Sequence, residues 1–165
     1  MSTLKAALKN RLHKIEKIAL LGVGSDLRGD DAAGILVAEH LHKSSPKDIK
    51  QQRLKVFFGS SAPENLTGEI KRFSPDYLVI VDSANIGKRA GAVKLINPDE
   101  VEGFSFCTHR LPLKIMTDYL IKTINCKILI IGIQPGRLDF ASRPSKEVEK
   151  SAKYISDTIE EILKE

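Results

Sequence analysis

The chain has 165 residues and a mass of 18.3 kDa, with 42% hydrophobic and 28% charged residues, a size and balance that let one globular domain bury a core without disulfides or a structural metal. No apolar run approaches the roughly 18 residues of a membrane span, and the opening MSTLKAALKNRLHKIEK lacks the unbroken apolar stretch and small-residue cleavage site of a secretory signal, so a cytoplasmic protein without membrane insertion is expected. The net charge of +5 and pI near 9.2 come from lysines and arginines scattered without interleaved aromatics, which reads as a solvated basic surface and argues against nucleic acid as a partner.

In chain order, Leu4, Leu8, Leu12 and Ile15 recur at helical spacing, so residues 1–16 are read as an amphipathic N-terminal extension packed on the domain, a mobile arm being the alternative. KIALLGVG at 17–24 is the first of three buried strands; YLVIVDSA at 77–84 and KILIIGIQP at 127–135 are the others, apolar on both faces as the middle of a parallel sheet requires. LKVFFG at 54–59 and AVKLIN at 92–97 are flanking strands, the latter expected to pair antiparallel after the loop NIGKRAG, and KSSPKD at 43–48 is a turn. Helical stripes fall at 31–43 (Ala33, Val37, Leu41), more weakly at 62–73, at 112–124 (Leu113, Met116, Leu120, Ile124) and at 145–164 (Val148, Ala152, Ile155, Ile159, Ile162). Strands alternating with helices predict a single α/β domain over 1–165, a three-layer sandwich with a mostly parallel, doubly wound sheet and helices on both faces. Ligands of such folds bind outside the carboxyl ends of the strands.

The segment LLGVGSDLRGDDAAG after the first strand resembles a phosphate cradle and fails as one. The third glycine of a dinucleotide fingerprint is Leu27, and where a P-loop offers lysine and a hydroxyl residue this chain has Asp30 and Asp31. Two carboxylates repel a polyphosphate and invite a cation. Capping of the following helix is the plain alternative for this pair.

Asp82 changes the balance, because it ends the second buried strand, whose carboxyl end a doubly wound sheet places beside the end of the first. His109, ahead of Pro112 at the start of the next helix, is the third candidate, its ring kept neutral near a positive helix end. Asp31, Asp82 and His109 form a mixed oxygen and nitrogen set suited to nickel or zinc with positions left open. Cys107 and Cys126 form neither a CxxC pair nor a disulfide framework. Both read as small half-buried hydrophobes, Cys107 with an open role as an extra soft ligand.

Taken together and in order, GVGSDLRGDDAAG, FGSSAPENLTGEI, VIVDSANIG, CTHRLPL and LIIGIQP resemble the hydrogenase maturation endopeptidases, nearest in pattern to the branch that processes the large subunit of hydrogenase 3. The resemblance spans roughly residues 17–160 and implies a five-stranded twisted sheet. It also implies an aspartate-dependent peptidase that removes a C-terminal tail from the [NiFe] hydrogenase large-subunit precursor after nickel insertion. By the same resemblance Asp31, Asp82 and His109 contact nickel brought by the substrate rather than held permanently, Asp31 and Asp82 are the catalytic acids, and Asp30 shapes the loop. The chain departs from the pattern at Ser25, usually Asn, and at Ala32, often Gly, and its extension before Lys17 lies outside it.

Two other functions use similar residues. A signalling receiver domain also has acids after its first strand and at a central strand end, but it needs a lysine at the end of the last strand, and GIQPGRLD has none. A nickel carrier or sensor would use the same ligands without hydrolysis. The expected peptidase is a monomer that meets its precursor transiently.

Overall fold

The computed structural model describes residues 2–45, 53–106 and 110–165. Among these residues six strands form one mixed sheet: β1 Ile18–Val23, β2 Leu54–Ser60, β3 Tyr77–Asn85, β4 Val93–Ile96, the two-residue β5 Ser105–Phe106 and β6 Lys127–Ile133. Five helices accompany them among the described residues: α1 Ser2–Leu12, α2 Ala33–Ser44, α3 Thr67–Phe73, α4 Arg110–Ile124 and α5 Lys146–Lys164.

The strand order is β2-β1-β3-β6-β4, with β5 pairing antiparallel to the end of β3. The β1–β2, β1–β3 and β3–β6 pairs are parallel, and β4 closes the far edge antiparallel to β6. β4 is antiparallel, as its position after a loop suggests. Its partner is β6, because both edges of β3 are occupied by parallel neighbours.

Alternation along the buried strands sends successive side chains to opposite layers. Ile18, Leu20, Val79, Val81, Leu129 and Ile131 pack with Val37 and Leu41 of α2 and Ile155 and Ile159 of α5. Ala19, Leu21, Leu78, Ile80 and Ile130 face Ile70 of α3 and Leu113, Met116 and Leu120 of α4. Two separate cores on one sheet make this a three-layer α/β sandwich.

The N-terminal helix joins the first core through Leu8 and Leu12, both fully buried. Ion pairs of Lys5 with Glu161 and of Lys9 with Glu165 tie it to α5, and the Arg53 guanidinium bridges the carbonyls of Ile15 and Leu163. No helix of the described residues is long and apolar enough to cross a membrane.

The order places the topological switch between β1 and β3, since the chain leaves β1 toward β2 on one side and returns to β3 on the other. The crevice of such a sheet opens at that point. Gly22 of β1 pairs with Val81 of β3, so the residues that follow each of them begin the crevice walls.

A carboxylate pair at the sheet's switch point

The loop from β1 reaches α2 through a tight 3-10 turn at Gly29–Ala32, and two glycines let it press onto the strand ends. At Gly24 the backbone has φ of +131°, and an added Cβ would fall 1.8 Å from the carbonyl oxygen of Asp31. At Gly34, in the first turn of α2, a Cβ would meet Val81 O at 2.1 Å and Val23 O at 2.3 Å. The helix start is therefore seated on β1 and β3 backbone to backbone, which only glycine permits. These glycines serve close approach, not phosphate.

That seating brings Asp31 to Asp82. Both are fully buried, and Ser83 links them: its hydroxyl donates to Asp31 Oδ1 at 2.9 Å, and its amide donates to Asp82 Oδ1 at 2.7 Å. The remaining oxygens, Asp31 Oδ2 and Asp82 Oδ2, are two of the three buried side-chain polar atoms without a hydrogen-bond partner among the described residues. Leaving a buried acceptor unsatisfied costs about 1–3 kcal/mol, more when it is charged. Burial, reinforced by the charge of Asp31, holds the Asp82 carboxyl well above the ordinary carboxylate range. Two neighbouring buried carboxylates with unpartnered oxygens will accept either a proton or a cation.

Asp30 does something else. It is also fully buried, but its carboxylate accepts from the amides of Gly136 (2.7 Å), Arg137 (3.0 Å) and Ser145 (2.5 Å) and from the Ser145 hydroxyl (3.0 Å). Burial would raise its pKa, and these donors together outweigh burial and lower it. Ser145 is the N-cap of α5, so Asp30 fastens the loop after β6 and the start of the last helix to the loop after β1. The capping alternative for the acid pair does not hold for α2, whose start has no side-chain cap.

His109 and Cys107 lie outside the described residues, as does part of the turn expected at 43–48. Among the described residues no group of three or more His, Cys, Asp or Glu side chains is placed to hold a metal. Cys126 is a free, buried thiol whose pKa burial raises, in keeping with a small core residue. At the end of β6, where a receiver domain needs lysine, Gln134 instead accepts from the amides of Ile86 (2.8 Å) and Lys88 (3.2 Å), fixing the loop beyond β3.

Ser83 and Gln134 had no role assigned from sequence. The signal was there in a weak form: each is a polar residue prolonging an apolar strand run, and both are buried.

Fold and site thus define an α/β protein with a buried carboxylate pair at the switch point of its sheet. The sequence model of the hydrogenase maturation proteases, HycI type, matches residues 35–165. A Methanocaldococcus jannaschii protein with the provisional name of hydrogenase maturation protease is 36% identical over 98% of this chain and 97% of its own length. The hydrogenase 3 maturation protease of Escherichia coli K12 is 33% identical over 86% of this chain and 87% of its own. The crystal structure of the [NiFe] hydrogenase maturation protease HycI from Thermococcus kodakarensis superposes with a TM-score of 0.86 at 32% identity, covering 96% of this chain and 99% of that one. The chain belongs to the hydrogenase maturation protease family. Coverage of 98% of this chain by the archaeal relative takes in most of the N-terminal extension, which the family model, beginning at residue 35, does not reach.

Proposed function

We propose that this chain is the endopeptidase that trims the C-terminal tail from the large-subunit precursor of a [NiFe] hydrogenase, and that Asp31 and Asp82 meet nickel already seated in that precursor. The observation carrying the reading is the pair of buried, bare oxygens Asp31 Oδ2 and Asp82 Oδ2 at the sheet's switch point. A resident salt-bridge partner would have satisfied them; a cation arriving with the substrate would do so only during the encounter. In this reading His109 adds a nitrogen ligand.

The chemistry asked of the residues is modest. Substrate-borne nickel supplies a fixed positive charge that draws the precursor's tail against the acids and selects a nickel-loaded precursor over an empty one. A carboxylate of the pair, once ionised, accepts a proton from the water that attacks the scissile carbonyl. The carbon–nitrogen bond breaks, and the proton passes to the leaving amine. A monomer in the cytoplasm, meeting its precursor transiently, fits this mode of action.

Mass spectrometry of a nickel-loaded precursor incubated with the protein should show loss of the C-terminal tail. Asp31→Asn and His109→Ala should each slow cleavage at least about a hundredfold with the far-UV spectrum unchanged. An intact C-terminus, in a preparation that a competent processing extract does cut, would favour a nickel carrier with the same ligands.

A further inference from the structure

We propose that Leu27 and Phe140 form an apolar docking patch for the precursor polypeptide, taking its apolar side chains within a few residues of the cut. The inference rests on the peptidase reading above for the identity of its occupant.

Leu27 and Phe140 are 57% and 77% exposed, on the loops after β1 and after β6. Both loops leave the carboxyl ends of parallel strands, on the rim that carries the acid pair. The two loops are bonded to each other at the patch: Ala141 N–H donates to the Leu27 carbonyl at 2.8 Å, Gly29 N–H to Ser142 O at 3.1 Å, and Asp30 N–H to Arg137 O at 2.9 Å. The four bonds to the Asp30 carboxylate complete the brace. Burying a phenylalanine or leucine side chain is among the larger stabilising gains a single residue offers. The fold forgoes much of that gain at two neighbouring loop positions while holding their backbones fixed. Side chains displayed on a braced loop are pre-organised for a partner, because little order is lost when it binds.

Continuity with the acid pair selects the occupant. Leu27 is four residues from Asp31, a separation the chain cannot stretch beyond about 14 Å. A peptide extended over Asp31 and Asp82 reaches the same distance in about four residues. A polypeptide laid over the acid pair therefore comes within reach of the patch, as a processed chain would, whereas a permanent second copy seated there would crowd the approach to the acids.

The test compares Phe140→Ser and the Leu27→Ser/Phe140→Ser double variant with wild type and with Ile115→Ser, which removes a 61% exposed hydrophobic on α4. Affinity for the nickel-loaded precursor is measured at equilibrium in an Asp31→Asn background, and kcat and KM are measured in the active protein. The patch variants should weaken affinity and raise KM about ten- to a hundredfold, the loss falling on KM more than on kcat, while Ile115→Ser changes neither. Unchanged affinity and KM in the double variant would overturn the docking proposal while cleavage by wild type kept the peptidase reading. Weakened affinity with no cleavage by wild type would keep the patch and remove the peptidase. A wild type that neither binds nor cuts the precursor would overturn both. A dimer in sedimentation that Phe140→Ser dissolves, with KM unmoved, would assign the patch to a second copy and reject the proposal.

Discussion

The Ser83 hydroxyl lies 2.9 Å from Asp31 Oδ1, across the gap between the end of β3 and the loop after β1, and it is the donor that decides which oxygen of Asp31 stays free. The serine amide does the same for Asp82. Removing the hydroxyl keeps the second anchor and releases the first. On the proposed reading, in which Asp31 meets nickel carried by the precursor, Ser83→Ala should lower kcat/KM for the precursor about ten- to a hundredfold, the usual effect of losing the group that orients a metal-contacting side chain. The melting temperature should also fall by several degrees, because both oxygens of the buried Asp31 carboxyl are then unsatisfied, at a cost of about 1–3 kcal/mol. Wild-type kcat/KM in Ser83→Ala would show that Asp31 is aimed by something else.

Asp82 pays a stability cost for its position. Its folded pKa is raised by burial and by the Asp31 charge, so the folded chain retains a proton that the unfolded chain releases from about pH 3.9 upward. The resulting stability is complete below that unfolded value and is lost as pH rises through the folded one. Asp82→Asn should recover it near neutral pH, since the amide stays uncharged and puts a donor beside Asp31 in place of a second acceptor. Melting temperature at pH 7 should rise by about 2–4 °C for each kcal/mol recovered, the gain over wild type should shrink toward pH 4, and cleavage should be lost. A lower melting temperature at pH 7 would contradict this account.

Most of the fold was legible because its signals are local. The Ile, Val and Leu runs at 17–24, 77–84 and 127–135 can satisfy a buried strand and little else, and the stripe from Val148 to Ile162 fixes the last helix. Asp31 and Asp82 were legible as one site for a topological reason: strand ends on either side of a switch point are neighbours wherever they fall in sequence. The partners of Asp30 were not, because Gly136, Arg137 and Ser145 lie 106, 107 and 115 residues away and three of its four bonds are to backbone amides. Amides carry no residue identity, so no pattern in the sequence announces them. The same holds for Gly34, whose need to be glycine comes from two carbonyls on two strands.

Asp30 titrates in the opposite sense to Asp82. Its pKa is lowered despite burial, by three amides and a hydroxyl, so it contributes stability above the unfolded value near about 3.9 and loses it as pH falls through the folded value. Asp30→Asn replaces an acceptor by a donor facing donors. It should destabilise the protein at pH 7 by about 2–4 kcal/mol and flatten the acid limb of a stability-versus-pH curve measured by urea unfolding. Because the loop holding Phe140 is fastened through this carboxylate, hydrogen exchange should speed up at Gly136 and Arg137, with α1 unaffected. An unaltered acid limb would mean that Asp30 does not carry it.

Gly34 sets the distance between α2 and the sheet, and with it the meeting of Asp31 and Asp82. A Cβ there would stand 2.1 Å from Val81 O, 2.3 Å from Val23 O and 2.6 Å from Val23 N, all backbone atoms of two central strands that cannot turn aside. Gly34→Ala must push the helix start off the strand ends, at a cost of about 1–3 kcal/mol or more. Asp31 lies three residues before that contact and moves with it. The variant should lose activity out of proportion to its melting temperature, because the Ser83 bond to Asp31 tolerates only a few tenths of an ångström before it weakens. Gly68→Ala in α3 is the matched control: nothing lies within 4 Å of its added methyl, so the change should be neutral or stabilise by up to about 1 kcal/mol while leaving cleavage alone. Equal activity in the two alanine variants would mean that the acid pair does not depend on the close seating of α2.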